Sequence, residues 1–316
     1  MAQRPTLILG VDLGVSTSSV SYRLLRHGHC ADKIAPLALI RLRGDLTGSV
    51  PSELGSGPSD TWGHGVTPQH TRLKFLKLAL VDPEELPPDP QPPSGRPGLV
   101  QDALNKIATE DSDTGLVAEY LKQTVRSLRE AIEESGILAF GRNPATLNLI
   151  GDTEAAASTV RDTVLILDAG GGTVDIAAYT LGSQTPMAID ECIPSEGRFI
   201  GAVFMMEAFD SFARQQAQYH MGPDYGAVDQ AALETEIEEA WETVQNVPAS
   251  VLTRGTWSYW LDIQRLDHAP APPARLAGHD IARTLRTITD QVVEFTLKQA
   301  YAVEVETGKR PKVVPR

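Results

Sequence analysis

The sequence predicts an α/β fold duplicated into two lobes, each built around a strand, a glycine turn and a second strand. Two stretches predict it. Val164–Leu181 reads VLILDAGGGTVDIAAYTL, and its opening apolar run, with β-branched members, is what a strand covered on both faces requires. The run ends at Asp168 and turns through Gly170, Gly171 and Gly172. Glycines can take φ > 0 and let backbone N–H groups approach an anion without Cβ interference, while Thr173 adds a hydroxyl and Asp175 a second carboxylate. Leu7–Leu25 repeats the design: an apolar run to Val11, then Asp12, Gly14 and the hydroxyls of Ser16, Thr17, Ser18 and Ser19, then an alternating stretch from Val20. Either stretch alone could be an ordinary glycine-rich hairpin. Their recurrence argues for a duplicated fold with one phosphate loop per half.

The remaining elements follow in chain order. Pro36–Leu42 alternates as a third strand of the first lobe. Gly44–Val66 turns to Gly, Ser, Pro and Asp, which predicts irregular insertion structure with Trp62 as its packing anchor. Thr71–Leu80 has a helical period, with Leu73, Leu76 and Leu80 on one side and Lys74 and Lys77 offset. Asp82–Gly98 carries seven prolines, which remove donors and fix φ too often for a helix or strand, so an extended surface loop is expected. Leu116–Ile132 places Val117, Tyr120, Leu121, Val125, Leu128 and Ile132 at helical spacing, with Gly136 as its stop. Thr146–Ile150 is a short strand running into Asp152 and a small-residue helix over Glu154–Val160. Beyond the second hairpin, Met187–Ile193 reads as a strand and Gly197–Ala213 as a turn into a helix. Ala231–Val247 is an acidic helix around Trp241, whose charge run makes a solvated face. Trp257–Ile263 is a strand, Pro270–Pro273 a loop, Ile281–Ala302 a long amphipathic helix, and Lys312–Val314 a last strand.

Composition narrows the function. A chain of 316 residues with 41% hydrophobic content can form two domains with cores. The formal charge of −13 argues against a nucleic-acid partner, which needs clustered Lys and Arg. Cys30 and Cys192 stand in no metal-ligand spacing, so free thiols in a reducing compartment are expected. The opening MAQRPTLILGVDLG has too short an apolar run, broken by Asp12, for a signal peptide or membrane span. These features point to the cytoplasm, with the nucleus as the other compartment, and to no membrane partner.

Asp12-Leu13-Gly14 with its hydroxyl run, and Asp168-Ala169-Gly170-Gly171-Gly172-Thr173-Val174-Asp175, resemble the two phosphate motifs of the heat shock protein 70 family. Gly151-Asp152-Thr153-Glu154-Ala155-Ala156-Ala157 resembles the motif that connects its lobes. The triple glycine favours this family over the actins and sugar kinases of the same superfamily. The resemblance implies a duplicated actin-like ATPase fold, ribonuclease H-like, with two lobes flanking a nucleotide cleft. Lobe I would span 1–162 with an insertion at about 44–115, and lobe II 163–316 with an insertion at about 215–280. It further implies ATP and Mg²⁺ as ligands, with protein clients or co-chaperones as partners. Backbone groups of Gly14, Val15, Ser16 and Thr17 on one side and of Gly170, Gly171, Gly172 and Thr173 on the other would meet the phosphates, with Gly201 beside them. Asp12 and Asp168 would hold the metal, Asp152 or else Asp175 would orient the attacking water, and Lys77, or second Lys74, would reach the terminal phosphate. A solvated lysine on an amphipathic helix is the competing account of Lys77.

Several positions depart from the family pattern. Val15 replaces a threonine, Asp152 a longer glutamate, and Ile200 the first of two glycines. No Lys or Arg sits in the acidic helix to sandwich adenine, and the strand with a Val-Pro pair that precedes Arg129-Glu130-Ala131-Ile132 in the family has no counterpart. The Gly-Gly-x-Ser adenosine turn expected after the Lys312 strand is also missing, so lobe II is expected to be incomplete. A carboxylate moved back by one bond can cost about 100-fold where 1 Å matters. The expectation is therefore an ATP-binding protein with weak hydrolysis. A non-catalytic relic or interaction module on the same fold is the alternative, and a sugar or acid kinase, lacking any substrate-base motif, comes third. One edge and the faces of VLIL are expected to be left largely bare by the shortened neighbouring strand.

Overall fold

The computed structural model describes residues 6–25, 38–40, 49–56, 61–67, 69–87, 97–110, 113–134, 163–184 and 187–315. Among them the chain is mixed α/β, with six α-helices and several small sheets. It divides into two compact units. Unit 1 comprises 1–86, 103–199 and 302–316, and unit 2 comprises 87–102 and 200–301. The division falls inside two helices, α1 (Leu99–Glu110) and α6 (Gly278–Thr307).

In unit 1, β1 (Thr6–Leu13) and β2 (Thr17–Leu25) form an antiparallel hairpin. It is extended by β3 (Ala38–Ile40), while β4 (Ser49–Pro51) pairs with the start of β2. The short strands β5 (Leu54–Ser56) and β6 (Thr71–Leu73) pair with each other. Val20, Val50, Leu54, Trp62, Leu73, Leu76, Ile107 and Tyr120 form one buried cluster, with Trp62 and Tyr120 edge to face at 5.9 Å. Trp62 is thus packing, as the sequence predicts. The 44–66 segment is less irregular than predicted, because it supplies β4 and β5. The predicted helix over 71–80 is absent: β6 is followed by a 3₁₀ turn over Leu76–Leu80, entered through Phe75 at φ 60°. A buried left-handed phenylalanine interrupts the chain where a helix would need αR geometry. The helix predicted at Leu116–Ile132 is α2 (Asp113–Glu134), and it packs on that 3₁₀ turn.

The second sheet of unit 1 has the order β12-β7-β8-β9, from β7 (Val164–Ala169), β8 (Val174–Gln184), β9 (Met187–Arg198) and β12 (Lys312–Pro315). β8 is antiparallel to β7, whereas β12 is parallel to it. The expectation that VLIL would be left bare is overturned. β12 pairs Lys312, Val313, Val314 and Pro315 with Val164, Leu165, Ile166 and Leu167, so four residues are enough to cover the four-residue run. Val164, Leu165 and Ile166 are each 0% exposed, which for side chains of this size stabilises by about 1.5–3 kcal/mol apiece. The outer edge passes to β12, whose Pro315 offers no N–H donor.

Unit 2 is built from α3 (Ala202–Met221), α4 (Gln230–Gln245), a short α5 (Ala249–Thr253), the hairpin of β10 (Ser258–Leu261) with β11 (Ala274–Ala277), and the start of α6. α4 buries Leu233, Ile237, Ala240 and Val244, one face of a 3.6-residue period, and leaves Glu234, Glu239 and Glu242 in solvent. Its start is fixed by Asp229, whose carboxylate accepts from the Ala231 and Ala232 N–H groups. Phe209, Leu233, Leu261, Leu276 and Ile281 are fully buried in one core. The predicted 146–150 strand, the 154–160 helix and the Gly136 stop lie outside the described residues, as does most of the proline-rich loop. No helix among the described residues is long and apolar enough to cross a membrane.

Candidate functional site

The first hairpin turns through Gly14, Val15 and Ser16 between Leu13 and Thr17. A side chain on Gly14 would collide with the Thr17 carbonyl oxygen, so this tight turn needs glycine there. Behind the turn lies a buried hydroxyl cluster. Ser18 Oγ and Ser52 Oγ share a hydrogen bond of 2.8 Å, and Tyr120 OH donates to Ser18 Oγ at 2.8 Å. The Ser52 N–H donates to the Ser16 carbonyl, also at 2.8 Å. Ser18 is therefore committed to holding the turn, while Ser16 and Thr17 are exposed. The Tyr120 role was hidden in the sequence, because its position in the helix period marks it only as core.

The second hairpin turns through Gly170–Thr173 and is closed by the Gly170 N–H donating to the Thr173 carbonyl at 2.9 Å. Asp168 and Asp175 stand directly opposite each other across β7 and β8. Like charges in that arrangement repel, and Thr173 Oγ1 offsets part of it by donating to Asp175 Oδ2 at 2.7 Å. On the other side of Asp175 stands Gly197 of β9, where any side chain would collide with Asp175 Oδ1. Asp168, Asp175, Ser195, Glu196 and Gly197 line an open cleft of about 320 Å³. Glu196 was not among the residues singled out in the sequence. Its register partner is the buried Ile176, a pairing that the sequence does not reveal.

The two hairpin tips meet. A methyl on Gly171 would collide with Ser16 Oγ and lie 3.1 Å from the Ser16 nitrogen. One on Gly172 would collide with the Val15 side chain and lie 3.2 Å from Leu78 Cδ2. Val15 is only 5% exposed. Gly14, Val15, Ser16, Gly170, Gly171 and Gly172 are thus brought together. Asp12 and Asp168 each sit one residue before the end of the strand leading into a tip, Asp12 opposite Ser19 and Asp168 opposite Asp175. Lys77 is exposed on the 3₁₀ turn whose next residue, Leu78, faces Gly172, and Lys74 is half-buried. Gly201 belongs to unit 2, where it precedes α3 and its carbonyl accepts from the Phe204 N–H. Asp152 lies outside the described residues.

The donor types match a Mg-nucleotide, since Mg²⁺ commonly takes one or two carboxylates and completes its shell with waters and phosphates. No group of three or more His, Cys, Asp or Glu placed to hold a metal ion occurs among the described residues. The space does not match: with Val15 and Ser16 seated on Gly172 and Gly171, a phosphate cannot lie between the tips in this arrangement.

Unit 2 holds several perturbed titrations. The Arg265 guanidinium holds the Asp267 carboxyl well below the usual carboxylate range and is itself raised by that bond, made at 2.6 and 2.9 Å. Burial, followed by the Glu236 carboxylate that accepts its hydroxyl, pushes Tyr259 up to about 12. Burial acts to lower Arg214, but the adjacent Asp210 overrides it and the guanidinium is raised. Each of these is an ion pair or hydrogen bond that fastens unit 2 rather than a poised acid or base.

No family model matches the chain. No curated protein matches it in sequence.

Proposed function

We propose that the chain is a nucleotide-binding protein of the actin-like ATPase kind, similar to the heat shock protein 70 family, that takes Mg-ATP at the two hairpin tips when they part. One observation carries this reading. Two strand–Asp–glycine–strand hairpins, far apart in sequence, meet tip to tip within one unit with their aspartates at matching strand positions. Duplicated loops brought face to face are what a clamp on a polyphosphate requires, with backbone N–H groups on both sides and carboxylates set back from the tips. Val15 and Asp152 stand where the resembling family has a hydroxyl and a longer acid, so hydrolysis is weak in this proposal. The decisive test is thermal. Mg-ATP raises the melting temperature, and ATP with a chelator does not, because a ligand bound only to the native state stabilises it by about 2.7 kcal/mol at 100 times its Kd.

The apolar contact of Val15 with Gly172 favours a second reading, a non-catalytic interaction module in which the tips are permanently fastened. It predicts no melting shift with any nucleotide.

A further inference from the structure

We propose that the tip contact is a latch that nucleotide must open, with Val15 and Ser16 of the first hairpin as its knob and Gly171 and Gly172 of the second as its socket; this rests on the nucleotide reading above. Turn residues ordinarily lie in solvent, yet Val15, at the apex of a three-residue turn, is 5% exposed. It is buried against the position where Gly172 has no side chain, a position that Leu78 also approaches. The same absence lets Ser16 rest on Gly171. Two consecutive glycines therefore serve a close approach between loops, and the face they would offer an anion is covered by the opposite tip.

The two sides are held by different contacts. The Ser16 carbonyl is tied to the Ser52 N–H, and Ser18 to Ser52 and Tyr120 in the buried cluster, so the first tip is fixed from behind. The second tip is closed by the Gly170 to Thr173 bond within its own turn, runs through three glycines, is flanked by β9 through the Val174–Arg198 and Asp175–Gly197 pairs, and borders the open cleft at Asp168 and Asp175. Opening separates the knob from its socket. A ligand that binds only the open form has its apparent affinity reduced by the open fraction. Shrinking the knob therefore tightens binding even though it removes a native contact.

The test uses the full chain with Cys30 and Cys192 replaced by serine and carrying Ser16→Cys and Gly171→Cys. The Ser16 Cβ lies 3.2 Å from a Cβ built on Gly171, close to the roughly 3.5–4.5 Å of a disulfide. Oxidation in the absence of ligand is expected to link the pair rapidly, and Mg-ATP to slow the linking several-fold. In parallel, Val15→Ala in the otherwise natural chain is expected to bind Mg-ATP several-fold more tightly. Val15→Ala with unchanged or weaker affinity overturns the latch whatever the cysteine pair does. Linking at the same rate with bound Mg-ATP overturns the gating. A pair that links while neither form binds Mg-ATP overturns the nucleotide reading, and the gating role with it, leaving the contact as a structural fastening.

Discussion

The two hairpins share a plan and differ in how their tips are held. The first is braced from outside itself, by Ser52 on the neighbouring segment and Tyr120 on α2, and it carries the bulk. The second relies on its own closing hydrogen bond, the Thr173 to Asp175 bond and the backbone pairing of β9, and it carries the glycines. Two loops of one plan are not equivalent here: one projects and the other receives it. Position 15 carries this asymmetry, because a valine side chain is what fills the space over Gly172.

Substitutions sharpen or break that contrast. Gly172→Val adds bulk where Val15 and Leu78 leave no room and should cost about 1–3 kcal/mol, as overpacking does. Thermal melting should show the loss, and adding Val15→Ala should restore part of it, since residues in contact do not add independently. Tyr120→Phe removes the donor to Ser18 and should cost about 1–2 kcal/mol in urea unfolding, by leaving buried hydroxyls short of a partner. Thr173→Val strips the internal brace of the second tip. Because Asp175 is exposed, about 0.5 kcal/mol is expected, together with faster amide exchange over 170–173. If Thr173→Val cost more than Tyr120→Phe, the contrast between a braced and a receptive tip would be reversed.

Asp267→Asn in unit 2 should have the smallest effect and serves as the control. The folded-state carboxyl is depressed by Arg265, so the stability it contributes is complete above the ordinary carboxylate value of about 3.9 and is lost as pH falls through the lower folded value. The melting difference between natural and substituted chains should therefore be small at pH 7, fade on acidification below about pH 4, and leave any Mg-ATP response unaltered.

How much of this was legible in the sequence differs from element to element for physical reasons. VLIL and the Lys312 strand were legible as strands from their apolar runs, but that four residues of the second would cover the whole of the first was not. α4 and α6 could be read because their periods are long. The 71–80 segment misled because Leu73, Leu76 and Leu80 keep a helical spacing in a chain that Phe75 turns left-handed, and spacing carries no record of φ. The strands β4 and β5 were missed because three residues are too few to display an alternation. At the candidate site, the glycines and aspartates were legible as types in a pattern. That Val15 would sit on Gly172 was not, since a contact between hairpins so far apart in sequence is written in neither.

Whether these hairpins hold the phosphates of Mg-ATP, as proposed, is tested most directly by titration calorimetry on the natural chain beside an Asp12→Asn/Asp168→Asn double variant. The account predicts saturable, Mg²⁺-dependent ATP binding by the natural chain and its loss in the double variant, with the circular dichroism spectrum of the two unchanged. Equal binding by both, or none by the natural chain, would contradict it.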